Sequence, residues 1–252
     1  GQVYNITGAL DLISYDELLK IGKIVRRAVK VPRVITFGGE EVTLENIKDA
    51  YECKDLIFAG INAPKSGVYK KGYKVQHMGY GINSGVQLPK ILEGAAKTIL
   101  IGKVADIVEN LNGKSIFGVD SDEIMDRLIK EIKENKTGFI CANIQETDLA
   151  GHQEDSVRYG NRLEVVDKKL KLVMELLDEE DILIVTADHG NDPNIGHSNH
   201  TRELVPILVY KKNKLSGKNI GERKTLSDIG QTVAEYFGRI LPDNGESFLK
   251  KL

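Results

Sequence analysis

Five histidines occur in the chain, and four of them, His152, His189, His197 and His200, fall within one stretch of sequence, each near a carboxylate or another histidine. Three segments hold them: Asp148-Leu-Ala-Gly-His152, Asp188-His189-Gly190-Asn191-Asp192 and His197-Ser-Asn-His200-Thr-Arg. Carboxylate oxygen mixed with imidazole nitrogen suits borderline divalent ions such as Mn²⁺ or Zn²⁺, whereas calcium prefers oxygen alone. Each segment taken singly is ordinary: an isolated Asp-His pair is usually a surface or structural contact, and an isolated DxxxH is more often a turn. Three such segments in succession favour a metal centre. Asp188 and His189 are neighbours and would point to opposite faces of an extended strand, but a turn at a strand end brings both toward one ion.

The elements that must position these residues can be read from periodicity. Two of the three segments follow directly on predicted strands, 138–143 and 181–187, and in open α/β sheets ligands bind beyond the carboxyl ends of the strands. The apolar run at 182–185 predicts a strand covered on both faces. A helix is predicted over 156–177, with Tyr159, Leu163, Val166, Leu170, Val173 and Leu177 at the spacing of a buried stripe. Further strands are expected at 98–101 and 206–210. Helices are expected from a capping box at 120–123 to about 134, and over 226–237. This regular alternation makes residues 81–252 a layered α/β sheet region.

Residues 1–80 read differently, as an α+β lobe hinged near Gly79 and Gly81. Strands are expected at 3–6, 33–37 (ended by Gly38-Gly39) and 56–59, and helices over 15–29, capped by Ser14, and over 43–51, capped by Thr43. The Gly-, Lys- and Tyr-rich stretch 62–79 reads as a hairpin or a long loop.

Composition removes several function classes. The 252 residues are 41% apolar and 29% charged, ordinary for a globular protein. A net charge of −2 offers no bulk basic field for nucleic acid or anionic lipid, and no apolar run is long enough to span a bilayer. Two cysteines, Cys53 and Cys141, fit no zinc spacing and make a poor disulfide framework, so a reducing cytoplasm is expected. The expected partner is a small molecule, with neither nucleic acid nor membrane.

The ordered set Asp148-x-x-x-His152, Asp188-His189-Gly-x-Asp192 and His200-Thr-Arg resembles the metal motifs of phosphopentomutase and of cofactor-independent phosphoglycerate mutase, both in the alkaline phosphatase superfamily. More of the chain agrees with phosphopentomutase: Ile101-Gly102-Lys103-Val104-Ala105-Asp106-Ile107, Thr186-Ala187-Asp188-His189-Gly190, and His200-Thr201-Arg202-Glu203 followed by Val205-Pro206. Gln2-Val3-Tyr4-Asn5-Ile6 with Asp16-Glu17-Leu18 resembles the middle of that family's cap domain. Two departures stand out. The family's Arg-rich substrate segment is not found between Gly38 and Asn62, and the Asp148–His152 spacing is nearer the phosphoglycerate mutase form. Both point to a sister group of phosphopentomutase.

The resemblance implies an alkaline phosphatase-like α/β core (81–252) with part of an α+β cap (1–80), and an isomerase that interconverts pentose 1-phosphate and 5-phosphate through a phosphoenzyme. It implies two Mn²⁺ ions, with Zn or Mg as alternatives. Asp148, His152 and His200 would hold one ion, and Asp188 and His189 would contribute to the other. Lys103 is either the cation that meets the transferring phosphoryl group or a solvated lysine at a strand end. His197 is read as a ligand, a partner of the metal-bound histidines or an exposed loop residue, with the partner role favoured, and Asp192 as a brace for the Asp-His turn or for a metal-bound histidine. The family's Thr nucleophile and a further metal Asp precede the cap. Neither Thr147 nor Thr201 matches the nucleophile's motif. The expectation is therefore an N-terminally incomplete chain, inactive alone. The alternatives are a metal-dependent phosphatase or phosphodiesterase, a phosphoglycerate mutase-like enzyme, or an inactive metal-binding fragment.

Overall fold

The computed structural model describes residues 3–54, 58–212, 217–240 and 244–252. The chain divides into two compact units, Gly1–Ser84 with Asp106–Glu109, and Gly85–Ala105 with Asn110–Leu252. Both mix helices with strands.

In the first unit, β1 (Val3–Ala9) lies parallel to β2 (Arg33–Gly39), and β5 (Lys74–Gly79) pairs antiparallel on the other side of β2. The connecting helix α1 (Tyr15–Ala28) starts where Ser14 accepts from the Glu17 amide and the Glu17 carboxylate accepts from the Ser14 amide, a full capping box. Helix α2 (Leu44–Asp49) is capped in the same reciprocal way by Thr43 and Asn46. It stops short of Tyr51, which opens β3 (Tyr51–Lys54), the antiparallel partner of β4 (Phe58–Ile61). Residues 56 and 57 of the strand expected at 56–59 lie outside the described residues. The stretch read as a hairpin or loop contains a single helical turn, α3 (Ala63–Ser66), and then the ladder strand β5. Strand β2 runs through Gly38-Gly39 instead of ending before them. Side chains have no room there: a Cβ on Gly39 would meet the Val68 carbonyl oxygen at 2.2 Å, so glycine permits close backbone approach within the strand.

The second unit opens with α4 (Leu88–Ile91) and the buried strand β6 (Thr98–Gly102), followed by α5 (Lys103–Ile107) and β7 (Gly113–Ile116). Helix α6 (Ser121–Glu134) leads to β8 (Phe139–Asn143), and β6 lies between β7 and β8 in a parallel three-stranded sheet. Its apolar face packs Ile99 and Ile101 against Ile124 of α6, all nearly sealed from solvent; each such side chain contributes about 1.5–3 kcal/mol. Helix α6 is capped by Asp120, which accepts from the Glu123 amide.

The short helix α7 (Glu146–His152) and the long α8 (Ser156–Leu176) follow, then β9 (Leu183–Thr186), β10 (Ile207–Tyr210) and α9 (Ser227–Tyr236). Lys212 closes the end of α8 by donating to the Leu177 carbonyl at 2.7 Å. Two expectations change here. The strand predicted to be covered on both faces, β9, is only half-buried: among the described residues it has one ladder partner, antiparallel β10, in a two-stranded sheet separate from β7-β6-β8. The expected layered sheet is therefore described as two pieces. The α8 stripe is also not buried throughout. Val173 and Leu177 are buried, but Leu163 is 50% exposed.

Candidate metal centre

Two residues separate the end of β8 from the start of α7, so α7 leaves the carboxyl end of the parallel sheet. Asp148 and His152 are four apart on α7 and therefore share a face; Asp148 Oδ1 lies 3.3 Å from His152 Nε2. Helix α7 is anchored by its first residue. The buried Glu146 carboxylate accepts from the Ser121 amide at 2.8 Å, from Arg158 at 3.1 Å and from Arg162 at 3.2 Å, tying α6, α7 and α8 together. Desolvation is the largest single influence on Glu146 and pushes its carboxyl up, but the Ser121 amide and the two arginines outweigh it and hold the group below its ordinary range.

The second contribution comes from beyond β9. Gly190 and Thr201 form an isolated antiparallel bridge, with the Thr201 amide donating to the Gly190 carbonyl at 2.9 Å. That bridge brings the two flanking histidines together: His189 and His200 stack with ring centroids 3.7 Å apart. Both reach Asp148, whose Oδ1 lies 3.2 Å from His200 Nε2 and 4.0 Å from His189 Nε2. His152 and His200 approach through their Nε2 atoms at 3.0 Å. Asp148, His189 and His200 together offer one donor atom each within 4.8 Å of one another.

The tautomers follow from the outer nitrogens. His152 Nδ1 donates to the Ser198 carbonyl at 2.6 Å, and His189 Nδ1 donates to the Gly190 carbonyl at 3.2 Å. A carbonyl can only accept, so Nδ1 carries a hydrogen in both rings, and Nε2 is the nitrogen turned toward Asp148. Imidazole nitrogens and a carboxylate oxygen gathered at this range are the donor types that borderline divalent cations take. The donor spacings of 3.0–4.0 Å fit an ion with bonds of about 2.0–2.1 Å, whose tetrahedral donors sit roughly 3.3 Å apart. The surroundings are acidic as well. Burial, and after it the carboxylates of Glu203, Asp192 and Asp148, push the Tyr159 hydroxyl above its ordinary range.

The remaining predicted residues fall at varying distances. Asp188 sits at the rim, largely exposed, with Oδ2 3.6 Å from His189 Nε2. Asp192 is exposed. Its Oδ1 accepts from the Asn194 amide at 2.9 Å in a local turn. His197 is exposed, and its Nδ1 accepts from the Asn199 amide; it belongs to the loop that supplies Ser198. Lys103 opens α5, and among the described residues no hydrogen bond or ion pair joins it to the cluster. Sequence reasoning passed over Asn191, which is buried and donates to Asp148 Oδ1 at 2.8 Å. It also passed over Glu203, which accepts from the Thr201 hydroxyl at 2.7 Å.

Comparison with known proteins agrees with this chemistry. A family profile described as the Metalloenzyme superfamily matches residues 16–239. The chain is 38% identical over 168 residues to a phosphopentomutase of Herpetosiphon aurantiacus, covering 66% of this chain and 43% of that protein. It is 36% identical over 174 residues to a phosphopentomutase of Desulfitobacterium hafniense, covering 66% and 44%. It thus spans less than half the length of these relatives. The solved structure of the PH0037 protein from Pyrococcus horikoshii superposes with a TM-score of 0.44 at 15% identity, over 76% of this chain and 62% of that one. No helix among the described residues is long and apolar enough to cross a membrane. Membership of the family implies use of a divalent metal ion. The chain belongs to the Metalloenzyme superfamily, as a phosphopentomutase-like member.

Proposed function

We propose that this chain carries the metal-binding part of a phosphopentomutase-type isomerase, which interconverts pentose 1-phosphate and 5-phosphate. The observation that carries the reading is the convergence of Asp148, His152, His189 and His200 on one small volume, in a chain similar to proteins named phosphopentomutase. The reading takes the core as alkaline phosphatase-like, residues 1–80 as part of a cap, and the site as cytoplasmic.

In this reading Asp148, His152 and His200 hold one Mn²⁺, and Asp188 with His189 contributes to a second. Bound divalent ions supply Lewis-acid polarisation of phosphoryl oxygens and offset the charge that develops there. The chain's own groups do the positioning. The Ser198 and Gly190 carbonyls fix two imidazole rings with Nε2 inward. Lys103 offers a cation to the phosphoryl group. The hydroxyl that becomes phosphorylated is taken to come from outside these 252 residues.

The test is turnover of ribose 1-phosphate with Mn²⁺ by the protein that contains this chain. Ribose 5-phosphate should form, and Asp148→Ala or His200→Ala should abolish it. Release of inorganic phosphate instead of the isomer would make the enzyme a phosphatase on the same scaffold.

A further inference from the structure

Asn191 is 7% exposed, and both hydrogens of its side-chain amide are spent on one residue. Nδ2 donates to Asp148 Oδ1 at 2.8 Å and to the Asp148 backbone carbonyl at 3.1 Å. The two bonds pin the side chain of Asp148 to its own backbone and occupy one lone pair of Oδ1. The other lone pair is left for the histidine side of the cluster. The opposite end of the amide is different: Asn191 Oδ1 is buried and has no hydrogen-bond partner among the described residues. An unpaired buried oxygen is destabilising, so an apolar residue of the same shape would suit the fold better at this position. The neighbouring chain is shaped around the amide. A Cβ on Gly151 of α7 would meet the Asn191 side chain at 2.4 Å.

We propose that Asn191 is a positioning residue that holds Asp148 in the donor orientation for a divalent cation. The proposal rests on the metal-site reading above. Asn191 touches no reacting atom in this role. It fixes the rotamer of Asp148 and moderates the charge on Oδ1, as hydrogen-bonded partners of ligands generally do.

The test compares the wild type, Asn191→Leu and Asp148→Ala by calorimetric titration with Mn²⁺, alongside thermal unfolding of the metal-free proteins. Leucine matches asparagine in shape and removes both donors and the unpaired oxygen. The expected result for Asn191→Leu is an Mn²⁺ Kd raised about 10–100-fold, with metal-free stability unchanged or increased. A purely structural role would instead lower the metal-free unfolding temperature and leave the Kd alone. An unchanged Kd in Asn191→Leu, with binding abolished in Asp148→Ala, would overturn this inference while sparing the metal site. Unchanged binding in Asp148→Ala would overturn the metal reading and this inference with it. If Asn191→Leu does not fold, NMR of the wild type decides. The Asn191 side-chain amide protons should exchange slowly and shift when Zn²⁺ is added; fast exchange with no shift would refute the proposal.

Discussion

His152 and His200, 48 residues apart in sequence, face each other through their Nε2 atoms at 3.0 Å, with Asp148 Oδ1 within 3.3 Å of both. A carboxylate and two imidazoles held at that range form a donor set poised for a cation. Mn²⁺ at a hundred times its Kd should stabilise the fold by about 2.7 kcal/mol, raising the unfolding temperature by about 5–10 °C for a chain of this size. His152→Ala and His200→Ala should each lose most of that rise. His197→Ala should keep it, because His197 is exposed and accepts from the Asn199 amide in its own loop. Differential scanning fluorimetry with and without Mn²⁺ reads the outcome. Equal losses in His197→Ala and His200→Ala would place the ion elsewhere in the loop.

Glu146 ties three helices together two residues ahead of Asp148. Glu146→Gln keeps the shape but removes the charge opposite Arg158 and Arg162. Both arginines are about one-third exposed, so the loss should be smaller than for a fully buried pair, about 2–3 kcal/mol. The sign of the pH dependence follows from the lowered carboxyl. The native state binds fewer protons than the unfolded chain near an ordinary carboxylate pKa of about 4.3. The stabilisation is therefore fully present above that value and lost as pH falls through the lower folded value. Urea unfolding should show the gap between wild type and Glu146→Gln at pH ~7 and its narrowing below pH ~4. A gap independent of pH would mean that packing rather than charge is responsible.

The two thiols should separate by reactivity. Cys53 is exposed and Cys141 on β8 is partly buried, and burial pushes the Cys141 thiol up to about 11. At pH ~8 only roughly one Cys141 in a thousand is a thiolate. Native protein should therefore react with a disulfide reagent in one fast phase, and the second thiol should appear only in denaturant. Two fast phases of equal size would contradict the packing around β8.

How much of this was legible depended on whether the signal was local. The start of α1 was readable because Ser14 and Glu17 satisfy each other's amides within one turn. The Asp148–His152 pairing was readable only as part of an ordered set of motifs; helix α7, on which a spacing of four puts the two on one face, was not expected, because the isolated segment reads as a turn. Strand β5 was not readable, because Val75 and Met78 lie beside a Lys- and Gly-rich stretch that carries turn chemistry. Only the ladder to β2 makes a strand of it. The part played by Asn191 depends on Asp148, 43 residues away, and Asp192 beside it carried the more conspicuous charge. The split of the sheet was hidden for a similar reason: the apolar run of β9 records the strand but not how many neighbours it has.

Lys103 gives the last prediction. Gly102 and Asn143 are register partners at the ends of β6 and β8, and they approach so closely that a Cβ on Gly102 would meet the Asn143 carbonyl at 2.6 Å. The φ of +84° at Gly102 suits glycine alone and turns the chain sharply into α5. Lys103 therefore leaves the same carboxyl end of the parallel sheet from which α7 carries Asp148 away from β8. A lysine that meets a phosphoryl group there and one that is merely solvated differ in what its removal does. Lys103→Met should weaken binding of ribose 5-phosphate to the Mn²⁺-loaded protein about tenfold, or about 1.4 kcal/mol. It should also flatten the salt dependence of that binding and leave the Mn²⁺ Kd unchanged. Lys103→Arg, which keeps the charge, should retain most of the affinity. Titration followed by phosphorus NMR at low and moderate salt measures all three. Equal affinity in wild type and Lys103→Met would make the side chain a solvated strand-end cation, and the phosphoryl charge would then have to be met by other groups.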